Sequence, residues 1–269
     1  MLISMATSEP GTDPVARLNS DVPHGARIWN YWLGGKDNFA ADRAVGDQVR
    51  DVYPDVVKVA RASREFLARA VGYLVTEAGI RQFLDLGTGL PTADNTHDVA
   101  QAAAPESRIV YVDNDPLVLV HARALLTSSA EGATAYVDAD VRDPDAIISA
   151  AGATLDFTRP VAVMMLGILG NVPDEDDPKG LVDRFMAVVP SGSYVTVNDS
   201  VVTSETLDAR RAANDSGADY HLRTPEQIEA FLAGLDLVEP GVVSTPLWRP
   251  EPGPLPDPLN VMCGMARKP

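Results

Sequence analysis

The chain has 269 residues, 45% hydrophobic and 22% charged, with a formal net charge of −16 and a pI near 4.5. That is enough apolar material for one well-packed α/β domain with an extension. A negative field of this size repels phosphate backbones and argues against nucleic acid as a substrate.

In chain order, residues 1–22 are polar and carry Pro and Gly, which predicts a disordered tail. They lack a basic region followed by an apolar core, so no signal peptide is expected. No apolar run approaches the ~20 residues of a membrane span, and a cytoplasmic location is the expectation. Residues 24–43 follow, with Trp29, Tyr31, Trp32 and Phe39 inside eleven positions of a chain that is only 6% aromatic. Two readings stand: a staple packing the N-terminus onto the domain, or a lid hinged at Gly34-Gly35.

Residues 54–78 read as a long amphipathic helix, with Val56, Val59, Phe66, Leu67 and Leu74 on one face. Strands and helices then alternate. Strands are expected at 82–86, 108–113, 134–138, 160–167 and 193–198. Helices are expected near 94–103, from Pro116 to about 128, and at 144–150, 175–189, 203–214 and 225–234. Continuous apolar strands between amphipathic helices mean a parallel sheet covered on both faces. Two last strands, near 236–244 and 259–266, are joined by a proline-rich stretch that cannot be a helix, which predicts an antiparallel pair. The expected fold is therefore α/β and Rossmann-like, a seven-stranded mostly parallel sheet with an antiparallel last strand. An N-terminal cap with helices spans 23–79 and the main domain 80–269.

The densest motif is Phe83–Thr92, FLDLGTGLPT. A buried strand containing Asp85 breaks into Gly87-Thr88-Gly89, a turn that glycine makes without a Cβ penalty. The next strand ends on Asp113, 28 residues after Asp85. A glycine turn followed by an acid at the end of the next strand suits a ribose. Pro91 stands where the dinucleotide fingerprint needs its third glycine, which disfavours a pyrophosphate. S-adenosylmethionine (SAM) fits this pattern; another nucleotide, or a purely structural turn, stay open as alternatives. After the third strand, Asp140 suits the exocyclic amine of an adenine and Val141 a ring face, while Asp143-Pro144 is also a good helix start.

Three longer strings carry a resemblance. Leu33–Arg43 (LGGKDNFAADR), Phe83–Thr92 and Val110–Pro116 (VYVDNDP), with Asn95-Thr96-His97, Ala139–Pro144, Pro173–Pro178 and Ala266–Pro269, resemble a SAM-dependent methyltransferase family first catalogued as a domain of unknown function. The similarity runs from about residue 23 to the C-terminus. It implies the class I methyltransferase fold, with SAM as cofactor and S-adenosylhomocysteine as product. It implies Asp85, Gly87, Thr88 and Gly89 around the methionine part, Asp113 on the ribose, Asn114 beside the adenine, and Asp140 and Val141 on the adenine edge and face. Leu166, at the end of the fourth strand, joins this cofactor set. It places the segment carrying Tyr31, Trp32, Gly34, Lys36, Asn38 and Phe39 over the site as a cap.

The departures fall on the acceptor side. Relatives usually carry His-His where this chain has Gly170-Asn171, and commonly Ser-His where it has Asn198-Asp199. Asp199 is thus the leading candidate base, Asn171 a group to orient the acceptor, and His221 a second base candidate. His97 is expected to position the glycine loop or the cap. Trp248 either walls the acceptor pocket or packs at the sheet edge. Cys263, the sole cysteine, excludes an intrachain disulfide and a Cys-based metal site and reads as core; no metal is expected. The resulting expectation is methyl transfer to a small molecule in secondary metabolism, without nucleic acid or membrane as partner and with homo-oligomer formation open. A SAM-binding cyclase or isomerase, or a non-catalytic SAM-binding protein, is the alternative.

Overall fold

The computed structural model describes residues 19–91, 94–125, 128–214 and 220–269. Residues 1–18 of the tail expected at 1–22, Thr92 at the end of its string, and residues 126–127 of the helix expected to reach about 128 therefore lie outside the described residues. Helices α1 (Gly25–Trp32), α2 (Ala40–Val52) and α3 (Val56–Thr76) precede the alternating part. That part runs β1 (Gln82–Leu86), α4 (Thr96–Ala103), β2 (Arg108–Asp113), α5 (Pro116–Leu125), β3 (Ala133–Asp138), α6 (Pro144–Ala151) and β4 (Ala162–Leu166). It continues through α7 (Pro178–Val188), β5 (Tyr194–Ser200), α8 (Ser204–Asn214) and α9 (Pro225–Ala230) to β6 (Asp236–Leu237), β7 (Val243–Ser244) and β8 (Val261–Arg267). The sheet order is β3-β2-β1-β4-β5-β8-β6, with β7 also on β8.

Strands β1 to β5 pair in parallel, and β8 lies antiparallel to β5 with Asn198 opposite Cys263. The single strand expected near 236–244 is two short pieces. Leu237 pairs with Ala266 and Val243 with Cys263, both on the free edge of β8. The Glu239-Pro240 bond and the left-handed Gly241 (φ 86°) fall between them, where proline removes a ladder donor. Eight strands thus fill seven positions across the sheet.

The two faces carry separate cores. Leu84, Val110, Val163, Val195 and Phe185 pack on one side, and Phe83, Tyr111, Tyr194, Phe66 and Leu74 on the other. Alternation along each strand produces this division. A third cluster, with Ile28, Val45, Val49 and Tyr53, joins α1 and α2 to Ala209 of α8 and Val261 of β8. Helix α3 belongs to both layers: Val56 and Val59 face the N-terminal helices, while Phe66 and Leu74 cover the sheet. Trp248 is fully buried, edge-on to Phe66 and Tyr73, and Arg69 donates to the carbonyls of Trp248 and Thr245 at 3.0 Å each. It is an edge-packing residue. Cys263 is core, and burial pushes its thiol up to about 12.

Candidate active site

The carboxyl ends of β1, β2, β4 and β5 converge on one edge, where open α/β sheets bind ligands. The turn after β1 is tied to β2. Gly87 and Thr88 donate their amides to the Val112 carbonyl at 2.8 and 3.2 Å, and the Gly89 amide donates to Asp113 Oδ2 at 2.8 Å. Gly89 has φ 67°, and a Cβ built there would meet nothing within 4 Å, so the bend faces open space. Gly87 is different: a Cβ would lie 2.6 Å from Ile168, which follows β4. The glycine turn and the loop after β4 therefore pack directly on each other.

Asp85 is buried, accepts a hydrogen bond from Thr96 Oγ1 at 2.6 Å, and is pushed up to about 6 by burial, with Thr96 and then Arg64 opposing. Asp113 is also raised, by burial first, while the amides of Asp115 and Gly89 pull the other way. Its Oδ1 accepts from Asp115 N at 2.9 Å, so both oxygens hold backbone yet keep lone pairs for a hydroxyl donor. Asn114 is exposed beside it, and Leu166 half-buried ends β4. Asp140 is gripped by Arg142, through Nε at 2.9 Å and Nη2 at 2.6 Å, on the rim of a cavity of about 460 Å³ that Asp143 and Asp176 complete. Val141 is buried in the core layer with Ile147 and Val163. His97 is buried, with Nδ1 and its own amide both 2.8 Å from the Tyr111 hydroxyl of β2.

The N-terminal segment is braced by its own polar groups. Asn30 Oδ1 accepts from Asp37 N at 3.1 Å and Asn38 Nδ2 at 2.9 Å, and a Cβ on Gly35 would lie 2.3 Å from Asn30. Arg43 in turn donates to the carbonyl of Asn38 at 2.9 Å. Fully buried Asp42 accepts from His24 N and Phe39 N at 2.9 and 2.8 Å. Tyr31 donates to Asp47 at 2.7 Å and Trp32 Nε1 to Gly46 O at 3.1 Å, so both serve the α1–α2 contact. Lys36 is exposed, and the Arg27 guanidinium lies 5.3 Å over the Phe39 ring. The whole segment is clasped to the end of β2: His24 Nδ1 and Arg27 Nε lie 3.0 and 3.5 Å from Asp115 Oδ2, and Asp37 reaches His121 of α5 at 3.6 Å.

On the acceptor side the adjacent residues Asn198 and Asp199 lie within β5 and face opposite ways. Asn198 Nδ2 donates to Thr245 Oγ1 at 2.7 Å. Asp199 Oδ1 accepts from Gly170 N at 3.1 Å and from the Tyr220 hydroxyl at 2.5 Å, while its buried Oδ2 has no hydrogen-bond partner. Burial pushes Asp199 up to about 6, with Tyr220 and Gly170 opposing. Asn171 is exposed and donates to Gly167 O at 3.0 Å, and His221 donates its amide to Gly170 O at 2.6 Å.

Two residues here escaped sequence reasoning. Tyr220 covers Asp199. Buried Arg223 donates to the carbonyls of Leu169 and Val172 at 2.7 Å each and to Asp174 at 2.8 Å, stitching this loop down. A tyrosine three residues before an arginine, in the loop after a helix, carries no local signal; only the lost imidazole at 170 hinted that something else fills that space.

A seven-position sheet with an antiparallel last strand, a bare glycine bend and acids at the ends of its first two strands defines a class I SAM-binding methyltransferase. Residues 11–269 match the family model described as S-adenosyl methyltransferase, and the chain belongs to that family. It is similar to a DUF574 family protein from Streptomyces avermitilis MA-4680, with 43% identity, a TM-score of 0.89, and 93% of this chain and 99% of that one covered. A second relative, from Thermobifida fusca YX and provisionally assigned as a methyltransferase, shares 41% identity over 92% of this chain and 96% of that one, with a TM-score of 0.86. At fold level it resembles the plantazolicin methyltransferase BpumL solved with S-adenosylhomocysteine, at 10% identity and a TM-score of 0.52, covering 91% and 95%. No curated protein matches the chain. SAM is the family's cofactor, and the open bend at Gly89 beside two buried carboxylates fits a ligand that carries an ammonium and a sulfonium.

Proposed function

We propose that the chain is a cytoplasmic enzyme of secondary metabolism that methylates a small-molecule acceptor arriving with a proton to lose. When bound, the cofactor supplies a methyl group on a positively charged sulfur. Asp85 and the Gly87–Gly89 bend would hold its amino-acid end, Asp113 its ribose, and Asn114, Asp140 and Val141 its adenine. Asp140 has to share its carboxylate with Arg142 or release it.

Methyl transfer is an in-line displacement, in which positioning and water exclusion supply up to ~7–11 kcal/mol. The residues of this chain contribute a proton sink and an orienting rim. Exposed Asn171 orients the acceptor, with His221 on the neighbouring strand of chain. The Tyr220 hydroxyl takes up the acceptor's proton as it passes its own to Asp199 Oδ1, and the carboxylate ends protonated. The observation carrying this reading is Asp199 itself, a buried carboxyl raised to about 6 at the end of β5 under a tyrosine hydroxyl. The cap residues from Gly34 to Phe39, with Tyr31 and Trp32 behind them, wall the cleft against water.

An acceptor screen with SAM tests this by mass spectrometry. Expected are a product heavier by one methylene, S-adenosylhomocysteine release, and loss of turnover in Asp199→Asn. Turnover without S-adenosylhomocysteine would instead establish a non-methylating enzyme.

A further inference from the structure

The opposite edge of the sheet, where β1, β4 and β5 begin and β8 ends, holds a second cavity of about 240 Å³. Strands of five to seven residues at ~3.3 Å per residue separate it from the cleft by about 17–23 Å. Three arginines line it, Arg81, Arg159 and Arg267, with Gly192, Tyr194 and Pro160, and no acid is among the lining residues. In a chain of net charge −16, with 38 acids against 22 lysines and arginines, three cations gathered without an acid in one concavity need a reason.

The three arginines differ in what they already hold. Arg81 is spent: it pairs with Glu106 at 2.6 Å and donates to the carbonyls of Val75 and Ile80 at 3.0 and 2.9 Å. It forms a fixed positive wall. The Arg159 guanidinium makes no hydrogen bond or ion pair among the described residues. Asp156 senses it only as a weak through-space charge, behind its bonds to Thr158. Arg267 reaches Asp236 only at 4.0 Å. The acids nearest these arginines therefore stand outside the cavity. Gly192, in the left-handed region (φ 86°), also lines it, and a Cβ there would stand in ordinary contact, 3.7 Å from Pro160 and 4.0 Å from Arg267 Nη2, so one Arg267 donor lies close to the residue that follows Arg159.

Two guanidinium forks with unspent donors, backed by a third cation, match the oxygens of a phosphoryl group, which arginine binds in bidentate fashion. The volume decides the size of the ligand. It falls below the ~300–1,000 Å³ of sites for drug-sized molecules, which suits an ion better than a larger ligand. We propose that this cavity binds a small phosphoryl oxyanion, of orthophosphate or pyrophosphate size, between Arg159 and Arg267, independently of the cofactor cleft.

Isothermal titration of the full chain with sodium pyrophosphate and with sodium phosphate, at low ionic strength, tests this. One saturable site is expected, weakened at least tenfold in Arg159→Ala and in Arg267→Ala and unchanged in Arg184→Ala, whose exposed guanidinium pairs with Asp145 elsewhere. SAM titrations of the same proteins should coincide, which separates this site from the cofactor site. Melting curves check folding, and Arg159→Lys and Arg267→Lys, which keep the charge but lose the fork, should bind in between. The proposal is overturned if neither ion gives saturable heat. It is equally overturned if both alanine variants bind like the parent, if Arg184→Ala loses binding to the same extent, or if citrate binds as tightly as pyrophosphate.

Discussion

Gly170 and Tyr220 compete for one volume: a Cβ on the glycine would lie 2.1 Å from Tyr220 Cζ. The tyrosine ring occupies the place a side chain at 170 would take, and its hydroxyl meets Asp199 there. The position is intolerant because backbone and ring cannot both stay.

Gly170→Ala should therefore cost about 1–3 kcal/mol of stability in denaturant melts, the range for overpacking. Gly170→Ala combined with Tyr220→Phe should not recover it, because the ring remains. Tyr220→Leu, which shortens the side chain, should recover part. A stable Gly170→Ala with an unmoved tyrosine would contradict the shared volume.

Asp113 ties the glycine bend to β2 through Gly89. Asp113→Ala leaves that amide without its charged acceptor, a loss of about 1.5–3 kcal/mol. SAM affinity, measured by titration calorimetry, should fall roughly tenfold to a hundredfold. Asp113→Asn, which keeps one acceptor oxygen, should lie between.

The stability that Asp85 and Asp199 contribute should decline as pH rises from about 4 to about 6. Asp85 and Asp199 are each raised from 3.8 to about 6 in the fold, so over that window the folded chain binds more protons than the unfolded one. Their contribution is complete below 3.8 and lost as pH climbs through about 6. At about 1.4 kcal/mol per pKa unit, the combined swing is at most about 6 kcal/mol. Urea melts across pH 4–7 should show the slope in the parent and a shallower one in Asp199→Asn and Asp85→Asn.

The clasp of the N-terminal helices on β2 should loosen toward alkaline pH. Burial works to lower the His24 pKa, but the Asp115 carboxylate outweighs it and the net shift is upward from 6.5. The charged pair is therefore complete below 6.5 and lost as pH rises past the raised value. Amide exchange in α1 should quicken between pH 6 and 8 beyond the intrinsic chemical rate, and His24→Gln should abolish the pH dependence. Equal protection factors at both pH values would refute it.

Much of the frame was legible in order of residues. Gln82–Leu86 and Arg108–Asp113 have the expected bounds because apolar runs closed by glycine or an acid leave little choice. Helix α3 was read within two residues at each end from its apolar spacing. Less visible was α2, where Gly46 and a polar surface dilute the pattern and the helix is held by contacts with α1 and α8. The strand near 236–244 was read as one piece, since the break depends on which edge of β8 it meets. For the cap, aromatic density left a staple and a lid both open, whereas the polar groups that hold it could not be foreseen: Asn30, Asn38 and Asp42 bond back to their own loop.

From sequence alone came the sheet's class, the glycine bend, the acids that follow its strands and the family. Each is written in short-range periodicity and in residues whose backbone or charge has few alternatives. Tertiary structure alone decided that Tyr220 and Arg223 close over the loop after β4, and that arginines from three distant segments gather at the far edge. Those outcomes depend on which chain segments meet after folding, and a side chain's partners across tens of residues leave no trace in its immediate neighbours.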